Sequence, residues 1–221
     1  MKATLKHIVA HTYKPLLVKY LSKTRMYKYG DIKLEIPPQV FHPGFFFSTG
    51  LLLRHIKGLE LKGKRLLELG AGNGLISTYA SKKGALVLAS DINPVANEYL
   101  HRNSRRNNTG FEIIHSDLFG NIPTQQFDLI AINPPYYKKT PSTPIEHAWY
   151  CGENGEYFSS LFQQLDGYVH LKTNVLMVLC DGCDLDMIEA MANQRGFRLN
   201  CLQSRQNILE KNYLFSIEKT G

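Results

Sequence analysis

Residues 65–74 read RLLELGAGNG. The first five are rich in leucine and follow the pattern of a short buried strand. Three glycines come next, Gly70, Gly72 and Gly74, and LISTYASK then takes up helical spacing. A strand that runs through a glycine loop into a helix is half of a nucleotide-binding unit, because ligands in an open parallel sheet lie beyond the carboxyl ends of its strands. The spacing is G-x-G-x-G, so the third glycine of a dinucleotide fingerprint would fall at Leu75 and that match fails. A tight turn needs one such glycine or two. Three imply that the backbone comes close to a ligand.

The same rhythm continues on either side. ALVLAS (85–90), FEIIH (111–115), FDLIAIN (127–133) and NVLMVLC (174–180) read as further buried strands. Helical stretches are expected over 74–83, 94–107, near 155–170 and near 184–195. Strands alternating with helices predict an α/β fold: a doubly wound, mostly parallel sheet with helices on both faces. FRLNCLQ and NYLFSIE have only a short connection, so they should close the seven-stranded sheet as an antiparallel C-terminal hairpin. Upstream, apolar residues between Leu5 and Leu21 suggest two short helices broken at Pro15. RMYKYGDIKLEI suggests a hairpin about YGD, and a helix follows over 47–57. This divides the chain into a basic helical extension with a hairpin, 1–40, and one α/β domain, 41–221.

The chain has 221 residues and a net charge of +7. That excess is local. Residues 1–30 hold Lys2, Lys6, Lys14, Lys19, Lys23, Arg25 and Lys28 with no acid, and the rest of the chain balances. A solvated helical face and an electrostatic arm for an anionic partner such as RNA or a ribosome both fit this pattern. No run reaches the length of a membrane span, and the first thirty residues lack a secretory signal's apolar core. Cys151, Cys180, Cys183 and Cys201 are too few for a disulfide framework, which points to a cytoplasmic setting. Cys180 and Cys183 form a CxxC pair with no second pair to complete a zinc site, so no metal is expected.

Two acids follow strand ends. Asp91, in SDIN, stands about twenty residues past the glycine loop, where an acid accepts from ribose hydroxyls. Asp117, in SDLF, is placed to accept from an adenine amino group. Farther on, the fourth strand runs into Asn133, Pro134, Pro135 and Tyr136. Two successive prolines cannot continue a helix and contribute no N–H, so they make a rigid corner. In this order, ELGAGNG, SDIN, SDLF and NPPY resemble the class I S-adenosylmethionine-dependent methyltransferases. AWYCGENGEYFSSLF, at 148–162, is further similar to the HemK-like protein-glutamine methyltransferases.

That resemblance implies a Rossmann-like methyltransferase fold for 41–221, S-adenosyl-L-methionine as cofactor and N-methylation of a planar group on a macromolecule. It implies cofactor contacts from Glu68, Gly70, Ala71, Gly72, Asn73, Gly74, Asp91, Ile92, Asp117, Leu118 and Asn133. It implies catalytic roles for Asn133, Pro134, Pro135 and Tyr136. It also leaves room for a small partner subunit. HPGFFFST (42–49) differs from that family in carrying Phe45, Phe46 and Phe47 where acids are usual, with Ser48 and Thr49 its polar groups.

An amide or nucleobase nitrogen is a poor nucleophile because its lone pair is delocalised. The Asn133 oxygen and the Pro134 carbonyl can each accept one of its N–H groups, and both favour the nitrogen as it becomes positive. Tyr136 can lie against the planar group. Of the histidines near the expected site, His42 is kept as a candidate, while His115 and His147 are read as structural. The segment from Trp149 to Gly155 favours a protein glutamine, and the basic arm favours an amino group of RNA or DNA. A ribosome-associated target would satisfy both. A non-catalytic RNA- or partner-binding module of the same fold is the alternative from another class.

Overall fold

The computed structural model describes residues 20–45, 47–206 and 210–220. The helices expected between residues 5 and 21, with most of the basic arm, lie almost wholly outside them. A two-stranded hairpin, β1 (Arg25–Tyr29) and β2 (Ile32–Ile36), comes first, followed by helix α1 (Phe47–Ile56). Then come β3 (Arg65–Leu69), α2 (Leu75–Lys82), β4 (Leu86–Asp91), α3 (Pro94–Arg106) and β5 (Glu112–His115). The chain continues through β6 (Leu129–Ile132), α4 (Glu156–Leu165), β7 (Asn174–Cys180), α5 (Leu185–Gln194), β8 (Phe197–Gln206) and β9 (Lys211–Lys219).

The main sheet has seven strands in the order β5-β4-β3-β6-β7-β9-β8. Pairing is parallel from β5 to β7 and antiparallel from β7 through β9 to β8. Successive side chains of a strand point to opposite faces, and the sheet is buried on both. Leu67, Leu69, Ile130, Ile132, Val175 and Met177 pack with Phe158, Leu161 and Phe162 of α4 and Ile188 of α5. Leu66, Leu129, Ala131, Leu176 and Val178 pack with Leu51, Leu52 and Leu53 of α1, Ile76 of α2, and Ile32, Leu34 and Ile36 of β2. The hairpin therefore shares the apolar layer that covers one face of the main sheet. This coverage of both faces is why the strands read as continuous apolar runs instead of alternating ones.

Among the strand boundaries that differ from the sequence reading, two bear on the site. The strand read as 127–133 is ordered as a ladder only over Leu129–Ile132. At its start, the Asp128 carboxylate takes the Arg65 N–H at 2.9 Å in place of a backbone acceptor. At its end, Pro134 and Pro135 have no N–H to donate. The strand read as 85–90 is shifted one residue on, to 86–91.

The strand order fixes where a ligand can lie. From β3 the chain builds outward through β4 to β5, then returns to place β6 on the other side of β3. The crevice beyond the ends of β3 and β6 is the switch point of the sheet. It brings the loop after Leu69 beside the corner after Ile132, residues 63 positions apart in sequence.

Candidate functional site

A cavity of about 460 Å³ opens at this switch point. Its wall includes Glu68, Gly70, Ala71, Gly72 and Asn73 from the end of β3, and Asp91 and Ile92 from the end of β4. Asp117 and Leu118 follow β5, and Asn133, Pro134, Pro135 and Tyr136 follow β6. The residues expected to touch a cofactor or substrate thus face one space, with the exceptions of Gly74 and the candidate His42. Gly74 has φ +75°, and a Cβ there would sit 2.5 Å from Leu100 Cδ2. Leu100 is fully buried, so Gly74 is required for close packing of the loop on α3 and contributes nothing to the cavity wall.

The loop is held by the acid that ends β4. Asp91 Oδ2 accepts from the Gly72 N–H at 2.8 Å, and Oδ1 accepts from the Asn93 N–H at 2.8 Å. Each carboxylate oxygen keeps a further lone pair that a ligand hydroxyl can use. Burial pushes the Asp91 carboxyl above its usual range, and these two N–H donors pull it back. Burial likewise pushes Glu68 up to about 7, against the hydrogen bonds from the Ser77 hydroxyl and N–H, with the Asp91 charge adding to the rise. Ser90, buried on the same wall, has a hydroxyl with no partner among the described residues. Three acids, an unpartnered hydroxyl and exposed loop backbone suit a cationic ligand that carries hydroxyls.

The corner after β6 is fastened to the segment that begins at Trp149. The Trp149 carbonyl accepts from the N–H groups of Tyr136 (3.2 Å) and Tyr137 (2.9 Å), and the Tyr137 carbonyl accepts from the Cys151 N–H at 3.0 Å. The corner therefore has a partner for its backbone although the prolines end the ladder. Burial, with the adjoining Cys180, pushes the Tyr136 phenol upward, so it stays neutral. The Cys183 thiol donates to Cys180 Sγ at 3.9 Å, and this bond lowers Cys180 to about 7. Among the described residues no cluster of three or more His, Cys, Asp or Glu could hold a metal.

The cavity also has a cover, of which sequence reasoning singled out only the stretch at 148–162. Gln39, Phe41, Thr49, His147, Trp149 and Tyr157 all line it. The rings of Phe41 and Trp149 lie 5.3 Å apart between centroids, tilted by 52°. Three asparagines from three strand ends hold the segment that leads into α1 and the first turn of that helix. Asn93 Nδ2 donates to the Gln39 carbonyl (3.0 Å), Asn73 Nδ2 to the Phe41 carbonyl (3.0 Å) and Asn133 Nδ2 to the Thr49 hydroxyl (3.2 Å). His42 does not line the cavity. Its Nδ1 accepts from the Gly44 N–H at 3.2 Å, its ring is edged by Tyr20, Tyr27 and Phe45, and burial lowers its pKa. His147, read as structural from sequence, is the histidine on the wall.

Comparison with known proteins agrees with this geometry. A family model described as the methyltransferase small domain matches residues 32–148. A "Putative protein N5-glutamine methyltransferase" of Methanocaldococcus jannaschii is 39% identical over 116 residues, 52% of this chain and 56% of the relative. "Methyltransferase HEMK2" of Homo sapiens is 38% identical over 121 residues, 49% of this chain and 56% of the relative. The "Ribosomal RNA small subunit methyltransferase C" of Haemophilus influenzae is 32% identical over 136 residues, 57% of this chain and 40% of the relative. The matching stretch thus spans about half the length of these relatives. Among solved structures, the E. cuniculi Mtq2–Trm112 complex, responsible by its description for methylation of the eRF1 translation termination factor, superimposes with a TM-score of 0.65. It is 23% identical, and the superposition covers 82% of this chain and 99% of that one, a likeness of fold.

Proposed function

We propose, from the premise that this chain belongs to the methyltransferase small domain family, that it uses S-adenosylmethionine to methylate a planar nitrogen, most simply the side-chain amide of a protein glutamine. The observation that carries this reading is the shared cavity: Asn133 and Pro134 open onto the same space as the Gly70–Gly72 loop, Asp91 and Asp117. The bound cofactor supplies an electrophilic sulfonium methyl group. Asp91 would hold its ribose hydroxyls, Asp117 its adenine amino group, and the loop backbone and Glu68 its amino-acid end.

The rest of the chemistry belongs to the corner after β6. The Asn133 carboxamide oxygen accepts one N–H of the substrate nitrogen, and the Pro134 carbonyl accepts the other. Both interactions strengthen as that nitrogen becomes positive, which is the condition for lowering a barrier instead of merely binding substrate. The prolines hold the carbonyl in place without reorganisation. The neutral Tyr136 ring lies against the planar group. Phe41 and Trp149 cover the mouth and limit water.

Glutamine is supported by the named glutamine relative and by the segment after Trp149, which is bonded to the corner. A nucleobase amino group is the second reading, favoured by the ribosomal RNA relative and the basic arm. The four free cysteines suit a reducing cytoplasm, and a small partner subunit has a precedent in the Mtq2–Trm112 neighbour. The test is incorporation of tritiated methyl groups from S-adenosylmethionine into a cell extract, followed by digestion. Label released by protease and resistant to ribonuclease is expected, and release by ribonuclease alone would defeat the glutamine reading.

A further inference from the structure

The turn after β7 carries chemistry that methyl transfer does not use. Cys180 is the last residue of β7, and Cys183 stands just before Asp184, the N-cap of α5. The Cys183 N–H donates to the Cys180 carbonyl at 3.0 Å, which closes a turn whose first and fourth Cα atoms lie within about 7 Å. A disulfide spans a Cα separation of roughly 4.4–6.8 Å. The two sulfurs are 3.9 Å apart, so side-chain rotation within the turn can join them. Cys180 is 2% exposed, whereas Cys183 is partly exposed. Neither lines the cavity.

Cys180 Sγ is also tied to the corner after β6. It accepts from the Gly182 N–H at 3.3 Å, from the Cys183 thiol and from the Tyr136 phenol. The bond from Cys183 is the main reason that the Cys180 thiol falls to about 7; burial opposes the fall, and the Gly182 N–H and the Tyr136 phenol add to it. A thiolate in a CxxC turn is the reactive form of cysteine.

We infer that Cys180 and Cys183 form a site of reversible oxidation, closing to a disulfide against a small disulfide such as oxidised glutathione, and that Tyr136 couples this site to the NPPY corner. The effect on turnover rests on the reading of that corner given above. A proton shift along the Cys183–Cys180 bond puts the charge on Cys183, the sulfur that solvent reaches. That sulfur attacks glutathione disulfide: a mixed disulfide forms, the glutathione S–S bond breaks, and a glutathione thiolate leaves and takes up a proton. Cys180 then attacks Cys183 and releases the second glutathione in the same way. Two electrons pass from the protein thiols to glutathione. A disulfide sulfur is a far weaker acceptor than a thiolate. Oxidation therefore turns the Tyr136 phenol from Cys180 toward the Tyr137 phenol, the other group that it bonds.

The test equilibrates the protein in glutathione buffers of graded ratio, alkylates free thiols and maps the peptide that holds both cysteines. The linked form should rise with glutathione disulfide and vanish with dithiothreitol. Tyr136→Phe removes a donor that stabilises only the reduced pair. Its half-oxidation point should move toward more reducing buffer by roughly 5-fold, the worth of one net hydrogen bond. Tritiated-methyl transfer into gel-filtered extract by the linked wild type should fall several-fold and recover on reduction. Cys183→Ser keeps a donor to Cys180 and cannot link, so its turnover should be the same in either buffer.

No linkage in glutathione disulfide alone would overturn the inference. An unmoved half-oxidation point in Tyr136→Phe would overturn the coupling, as would a linked form as active as the reduced one. Equal inactivation of Cys183→Ser would overturn it too, by assigning the effect to Cys151 or Cys201. Mapping and half-oxidation need no methyl transfer. Failure of the proposed function shows separately, as reduced protein that transfers no methyl group.

Discussion

Asn103 pairs edge-on with Glu35. Its side-chain oxygen accepts from the Glu35 N–H at 2.7 Å, and its NH₂ donates to the Glu35 carbonyl at 3.0 Å. One turn later, at the C-cap of α3, Asn107 does the same with Lys33, at 2.9 and 2.8 Å. Two asparagines spaced i, i+4 thus stand in for a neighbouring strand along the free edge of β2, satisfying groups that an edge strand otherwise presents to solvent. Asn103 also donates to the Asn73 carbonyl in the glycine loop at 3.2 Å, so hairpin and loop share one anchor.

Asn103→Ala should therefore destabilise the protein by about 2–3 kcal/mol, because a fully buried side chain is lost and several backbone groups are left without partners. In a chain of this length that corresponds to roughly 5–10 °C in Tm. Arg106→Gln, which removes an exposed ion pair to the same Glu35, should cost less than about 1 kcal/mol. Thermal melts of the two variants decide it: equal effects would mean the asparagine pairing adds little.

Asp91→Ala should weaken S-adenosylhomocysteine binding by about one order of magnitude or more. The variant loses both a charged acceptor for ribose and the two hydrogen bonds that hold Gly72 and Asn93, and charge-assisted bonds contribute roughly 1.5–3 kcal/mol each. Calorimetry on folded protein is the check, and unchanged affinity would place the adenosine elsewhere.

Asn133→Ala should lower that affinity far less than Asp91→Ala does, and should lower turnover about 10²–10³-fold, by analogy with loss of one preorganised oxyanion-hole donor. Asn133→Asp keeps an acceptor oxygen, so partial activity is expected. An aspartate variant as inactive as alanine would shift the essential role to the NH₂ that bonds Thr49. Near wild-type turnover in the alanine variant would reduce the NPPY corner to a rigid turn.

Glu68 gives a pH dependence whose sign follows from its raised pKa of about 7 in the folded chain. Below the unfolded value near 4.5, both states hold the proton and nothing is lost. Between there and about 7 the unfolded chain releases the proton while the folded one keeps it, so stability falls as pH rises. The loss should reach about 2–4 kcal/mol. Glu68→Gln should remove that part of the curve. Denaturant unfolding of both proteins from pH 4.5 to 8 measures the difference, and parallel curves would contradict a protonated Glu68.

The sequence by itself determined the sheet, because its strands are buried on both faces and leave unbroken apolar runs punctuated by glycine and proline. The glycine loop, the two strand-end acids and the NPPY corner were also legible in it, since each is a local feature tied to the end of one element. It could not distinguish Gly74 from Gly72: a glycine spared for packing against Leu100 and one whose N–H meets Asp91 look identical in a repeat. Nor could it find Thr49, Asn73, Asn93 or Asn103 as fasteners. Their partners lie between 32 and 84 positions away, and single polar residues at those separations leave no periodicity to read. Only the order of the strands, which folds the chain back between β5 and β6, brings those pairs within hydrogen-bonding distance.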